Sequence, residues 1–246
     1  NMKNLISYIL MLLIGVLILN SCSSNNETET QPVDLILVKK IIMTYSPNDI
    51  VILTYRYDGN RIISESNDKG YVSNFTYTGN VITKIEERVN NIFQRSREYT
   101  YVDGKVSMLV KKTNYDGTDS HTYTYNSNGT VSYKRTRTGS AKTTGLLTIS
   151  DGNIIKNEMF SGVQPSSSAT NLYGYDTKNN PFKNVLGFNL LLDTDEVMFS
   201  RNNMTQDGGA GGVSLYNYTF KYDASGFPTE RTPAYENSKE LFQYFY

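Results

Sequence analysis

An all-β antiparallel meander of repeated hairpins, rolled into a barrel or coiled shell, is the fold class this sequence predicts. Three observations lead to it. A T-Y-x-Y phrase recurs along the chain. Residues that tolerate positive φ follow most copies, as tight hairpin turns require. Apolar and polar side chains alternate with a period of two through the flanking segments.

The phrase is clearest in HTYTYNSNGTVSYKR (121–135), and variants occur as LTYRYDGNRI, NFTYTGNVI, EYTYVDGKV and YTFKYDASGF. The second aromatic of each copy serves as an anchor: Tyr57, Tyr77, Tyr101, Tyr125, Tyr175, Tyr222 and Tyr246, with Ile149 in a degenerate copy. The steps between anchors are 20, 24, 24, 24, 26, 47 and 24. The 47 reads as two periods with one anchor eroded between 176 and 221. A period of about 24 is two strands and two turns, so each unit is one β-hairpin. Asp-Gly at 58–59, 103–104 and 151–152, Gly-Asn at 79–80 and Asn-Gly at 128–129 mark the inner turns. The outer connections, SNDKG (66–70) and VNN (89–91), read as polar and looser.

Alternation assigns the faces. Phe75 and Tyr77 oppose Asn74 and Thr76; Tyr99 and Tyr101 oppose Glu98 and Thr100; Tyr123 and Tyr125, with His121, oppose Thr122 and Thr124. Tyr216, Tyr218, Phe220 and Tyr222 oppose Asn217, Thr219 and Lys221. On the returning strands, Val81 and Ile85 oppose Lys84 and Glu86, and Val106, Met108 and Val110 oppose Ser107 and Lys111. One face is aromatic and aliphatic; the other carries Thr, Lys and Glu. At about 12 residues per strand and turn, the chain after its leader holds roughly 16 strands. No run of helices is available to cover so wide an apolar face, so the sheet must curl on itself, which also hides its edges. A lipid-spanning barrel would turn its apolar residues outward. This pattern turns charge outward and predicts a water-exposed shell with an aromatic lining.

The N-terminus predicts an address. Residues 5–19 carry no charge and number about 15, short of the roughly 20 that a spanning helix needs. The run fits the hydrophobic region of a secretory signal. It ends in Leu19-Asn20-Ser21-Cys22, which resembles a bacterial lipobox. That resemblance implies cleavage between Ser21 and Cys22, acylation of the only cysteine, and sorting to the outer membrane with Ser23 next in line. Residues 1–21 are then a lipoprotein signal peptide, 22–32 a lipidated flexible tether without apolar side chains after Cys22, and 33–246 a single repeat-built β domain. Several acyl chains hold a protein at a bilayer where one alone is marginal.

The phrase Y-x-Y-D/N-x-x-G-x-V/P, here YTYNSNGTV and FKYDASGFP, is similar to the YD repeats of large bacterial shell-forming proteins. With the lipobox in front, and with YDTKNNPFKNVLGF at 175–188, residues 35–246 resemble Bacteroidetes lipoproteins of unknown function whose domain is described as porin-like β. The resemblance implies a fold and a location and supplies no catalytic residues.

The repeat breaks at 178–213, where Val185, Leu186, Phe188 and Leu190–Leu192 are dense and do not alternate. A short helical or irregular plug is expected around 182–200, with a helix near 184–192 and Asp193 or Thr194 capping a following turn. Phe182, Leu186, Phe188 and Leu191 are its candidate plug or ligand-contacting residues. A lid over a cavity, hinged at GGAGG (208–212), is the alternative. That Gly run lacks the Lys-Ser/Thr of a phosphate loop.

The residues that carry chemistry are few. Lys+Arg and Asp+Glu are both 24, so nothing suggests a nucleic-acid partner. His121 is the only histidine, and alternation places it among the packed tyrosines rather than in a catalytic triad. Asp193, Asp195 and Glu196 form the densest acidic cluster, read as a cap and solvated turn rather than a calcium site. No metal or cofactor is expected, and no catalytic residue is assigned. Two function classes stay open: a non-enzymatic envelope protein that binds or scaffolds a glycan, peptide, protein or small apolar ligand on tyrosine-rich surface, and a carboxylate-dependent hydrolase, of glycosides or other envelope substrates, working in the mouth of the shell.

Overall fold

The computed structural model describes residues 35–115, 117–139, 142–161, 167–195, 199–209, 214–234 and 238–246. The signal peptide, Cys22 and the tether lie outside these residues, as do Glu196 and part of the GGAGG run.

Sixteen strands run in sequence order and close into an antiparallel barrel, the last pairing with the first. They are β1 (Lys40–Ser46), β2 (Asp49–Asp58), β3 (Arg61–Asn67), β4 (Tyr71–Thr78), β5 (Val81–Val89), β6 (Ile92–Val102), β7 (Lys105–Thr113) and β8 (Gly117–Tyr125). The second half comprises β9 (Thr130–Arg137), β10 (Thr143–Ser150), β11 (Asn153–Ser161), β12 (Ser167–Tyr175), β13 (Met204–Gly209), β14 (Ser214–Tyr222), β15 (Pro228–Pro233) and β16 (Leu241–Phe245). The seam is regular, with Lys40 opposite Phe245 and Thr44 opposite Leu241. Every even-numbered strand ends at or beside one anchor of the repeat.

Why that anchor is tyrosine follows from the register. After each short inner turn the ladder slips by one residue: Tyr57 faces Ile62, Tyr77 faces Ile82, and Tyr101 faces Val106, with an extra residue beyond each. Such a bulge leaves a backbone group unpaired. The tyrosine of the next hairpin reaches it. Tyr101 Oη donates to the Ile82 carbonyl at 2.8 Å and Tyr125 Oη to the Val106 carbonyl at 3.1 Å. Tyr175 Oη reaches the Ile154 carbonyl at 3.0 Å and Tyr246 Oη the Pro228 carbonyl at 2.9 Å. Tyr77 closes the same contact from the other side, accepting from the Ile62 amide at 3.2 Å. The exception has the same logic. The β8–β9 hairpin pairs without slippage, and the anchor that would serve it is Ile149, which has no hydroxyl.

The bulge also corrects two assignments of face. Ile82, not Val81, is fully buried, and Leu109 is buried where Met108 is exposed at 36%. Each extra residue shifts the alternation by one, so Lys111, expected outside, points into the lumen and is 7% exposed. VNN is also tighter than expected, a two-residue turn with Asn90 and Asn91 at φ 50 and 66.

The outward face carries the polar ladder that the sequence predicts. Lys84, Glu86 and Arg88 pair along β5, and Lys156 meets Glu158 at 2.8 Å. Lys112 reaches across to Glu98, and Lys221 to Glu230. Charge in this position is the reverse of the lipid-facing band of a membrane-spanning barrel.

Residues 176–195 and 199–203 lie between β12 and β13 and fill part of the lumen. The long step of 47 residues is therefore one period with an insertion, not two periods with an eroded anchor. The insertion is irregular. It holds a 3-10 turn at Phe188–Leu190, and the expected α-helix over 184–192 does not form. It docks by its backbone on the inner turns: the Leu186 amide donates to Asn60 O, Asn179 to Gly226 O and Arg201 to Gly152 O. Gly187 has φ 73, and a Cβ there would lie 2.9 Å from the Asn80 carbonyl oxygen, so the approach requires glycine. Tyr222, whose hairpin follows the insertion, donates to the Asp176 carboxylate. The inner-turn end of the barrel is thus plugged, and the described chain enters there through Val38 and Lys39.

Candidate functional site

The plug divides the lumen into two unlike halves. Toward β7–β11 it presents Asp193, Thr194 and Asp195. Toward β1–β6 and β13–β16 it presents aromatic rings.

The first half is a charged latch. The inward residues of β7, β8 and β9 put Lys111 opposite Asp119, and His121 opposite Arg135. Lys111 Nζ donates to Asp193 Oδ1 at 2.6 Å and to Asp195 Oδ2 at 2.8 Å. Arg135 grips Asp119 through Nε and Nη2 and reaches Asp195 at 3.3 Å. Thr194 Oγ1 lies 3.1 Å from His121 Nδ1, and Asn157 donates to the Thr194 carbonyl. Asp193 and His121 are both 0% exposed. Asp193 Oδ1 also accepts the Asp195 amide at 3.0 Å, and the carboxylate is buried rather than solvated. Burial, and then the charge of Lys111, hold the His121 pKa below 6.5. Burial works against ionisation of Asp195, but Lys111 and Arg135 outweigh it and hold that pKa below 3.8. Asp119, His121 and Asp195 converge closely enough to hold a metal ion. Lys111 and Arg135 already bring positive charge to Asp195 and cross-link plug and wall, while His121 Nε2 and Asp193 Oδ2 are buried without a hydrogen-bond partner.

The second half is a partly enclosed cavity of about 590 Å3. Its floor is the plug. Tyr55 of β2 meets Phe182 edge-on at 5.3 Å, Phe182 stacks on Phe188 at 4.5 Å, and Phe188 meets Phe199 at 5.3 Å. Its walls reach up to Tyr71 and Arg95, near the outer turns. Glu87 of β5 sits directly opposite Arg95 of β6 and binds it at 2.9 Å, while Arg97 binds the same carboxylate at 2.6 Å. Tyr55 hydrogen-bonds the Glu65 side chain, and burial pushes its hydroxyl pKa well up, so it stays a donor. Arg231 of β15 lies over the Phe242 ring at 3.8 Å and the Tyr218 ring at 4.8 Å.

The structure separates the four candidate plug residues. Phe182 and Phe188 line the cavity. Leu191 lines a smaller crevice of about 180 Å3 beside Leu192 and Lys105. Leu186 acts by its backbone, whose carbonyl accepts from Tyr77 Oη at 3.0 Å. Alternation marks most of the charged wall residues that face the lumen. Glu87 shares a face with Ile85, Arg95 and Arg97 with Tyr99, and Asp119 with His121. Two Gly of the proposed hinge, Gly208 and Gly209, belong to β13 and pair with Leu172 and Asn171.

No family model and no curated protein matches this chain. A solved structure described as a porin-like protein from Bacteroides uniformis ATCC 8492 matches with a TM-score of 0.49 and 12% identity, covering 85% of this chain and 96% of that one. The phrase porin-like describes that protein.

Proposed function

We propose that this protein is a cell-envelope lipoprotein, held at the outer membrane by acyl groups on Cys22, whose barrel binds a small amphipathic ligand without catalysis. The cavity of about 590 Å3 carries the binding reading, because it combines aromatic walls with a few convergent polar groups. That is the size and make-up of ordinary ligand sites. The lipobox-like Leu19–Cys22 and the resemblance to YD-repeat lipoproteins support the location. The charged outward ladder supports an aqueous setting for the barrel wall. The hydrolase alternative needs two carboxylates free to exchange protons. In the cavity, Glu87 is committed to two arginines and Glu65 bonds with Tyr55.

The test uses the chain without residues 1–21 and with Cys22→Ser, which needs no detergent. It should bind the neutral dye N-phenyl-1-naphthylamine, with a rise in fluorescence. Leu53→Trp, which places an indole in the cavity, should abolish that rise with the unfolding midpoint unchanged. Absence of binding in the parent chain, or equal binding by the Leu53→Trp chain, would overturn the reading.

A further inference from the structure

The cavity lining holds three arginines and two glutamates, and they are not evenly matched. Arg95 and Arg97 converge on Glu87. Arg231 stands apart. Its neighbour Glu230 turns outward to Lys221 at 2.6 Å. Among the described residues no carboxylate forms an ion pair with Arg231, and its Nε is buried without a hydrogen-bond partner. Aromatic faces hold the guanidinium on two sides, at 3.8 Å and 4.8 Å. A guanidinium stacked in this way keeps its in-plane donors free for an acceptor. A cation in the lining without a carboxylate partner favours an occupant that brings an anionic acceptor. The rest of the lining is apolar and ring-rich, and Phe182 and Phe188 offer stacked planar faces.

From this placement we infer that the cavity takes a singly anionic amphipathic small molecule. Its carboxylate, sulfonate or phosphate sits on Arg231, and its aromatic or alkyl body lies against Phe182 and Phe188. The inference rests on the cavity being a binding site and adds the chemical class of what enters it.

Two dyes with one skeleton test it. N-Phenyl-1-naphthylamine is neutral, and 1-anilinonaphthalene-8-sulfonate is the same body with one sulfonate. The parent chain should bind the sulfonate tighter by roughly tenfold or more, the effect of a charge-assisted hydrogen bond in a sheltered site. Arg231→Met should remove that preference, so that the variant binds the two dyes alike. Arg231→Lys, which keeps the charge and loses the planar fork, should retain part of it. The comparison on the unaltered chain stands even where a variant folds poorly. Neutral dye bound with no preference for the sulfonate overturns this inference and leaves the cavity reading intact. Binding of neither dye by a chain with normal β circular dichroism overturns both.

Discussion

The two halves of the lumen are built from the same hairpin, yet one is filled and the other hollow. Both carry inward charges on their walls. On the β7–β9 side these charges meet complementary groups on the plug, and on the β5–β6 side they meet each other. The border falls where Arg97 and Lys111 face one another across β6 and β7. Like charges directly opposite repel, and each turns away from the other, Arg97 to Glu87 and Lys111 to Asp193. The plug therefore serves different purposes on its two faces. Toward Lys111 it is a counter-ion that closes the wall. Toward Tyr55 it is an aromatic floor that leaves space above it.

The largest effect expected is on the latch. Lys111→Met leaves the fully buried Asp193 without its cation and should destabilise the barrel by about 3–5 kcal/mol, the usual loss when one partner of a buried pair is removed. Adding Asp193→Asn should restore much of that, because neutralising both partners removes the uncompensated charge. Urea midpoints for the two single variants and the double variant give the coupling. Equal and additive losses would show that Lys111 packs in the wall without holding the plug. Leu53→Trp, in the hollow half, should change dye binding and leave the midpoint alone. If it destabilises as much as Lys111→Met, the two halves do not differ in kind.

The barrel was legible because alternation and turn chemistry repeat every hairpin, so one misread copy leaves the others standing. The plug was legible as a break in that rhythm at 178–213. What alternation could not give was the phase beyond a bulge. Thr83 and Ser107 are the extra residues, and nothing in their side chains distinguishes them from ordinary strand residues. Ser107 turns Lys111 inward, and with it the principal bond between wall and plug. The pairing of Lys111 with Asp193 joins residues 82 apart in sequence, beyond the reach of any local pattern. Arg231 is hidden for a related reason, since the register slips between Lys221 and Tyr222 against Glu230 and Pro228.

An intermediate effect is expected from the repeat itself. Tyr101→Phe removes the donor that satisfies the Ile82 carbonyl and keeps the ring. The stranded acceptor should reduce stability by about 1–3 kcal/mol. Ile149→Tyr is the informative partner. No bulge lies opposite it in the β8–β9 hairpin, so the new hydroxyl has no acceptor of this kind and should not stabilise. Thermal midpoints of the two chains test the staple directly. A gain from Ile149→Tyr would mean that the tyrosines act by ring packing alone.

The smallest effect expected is acid sensitivity of the latch. An unfolded histidine takes up a proton below about 6.5. Folded His121 resists protonation to lower pH, because of its burial and then Lys111, although Asp119, Asp193 and Asp195 pull the other way. The unfolded chain then binds the more protons in that window, so stability falls as the pH drops below about 6.5. Asp195 acts lower still. Its folded pKa is depressed, so its contribution is present above the unfolded value and is lost as the pH falls through the folded one. His121→Asn should remove the first component only, making the loss between about pH 7.5 and about pH 5.5 smaller than in the parent chain. The opposite result has a definite meaning. Asp119, Asp193 and Asp195 all favour an imidazolium here, a balance set against burial and Lys111. A parent chain that gains on acidification relative to His121→Asn would show that balance outweighing burial, with the plug held tighter in acid.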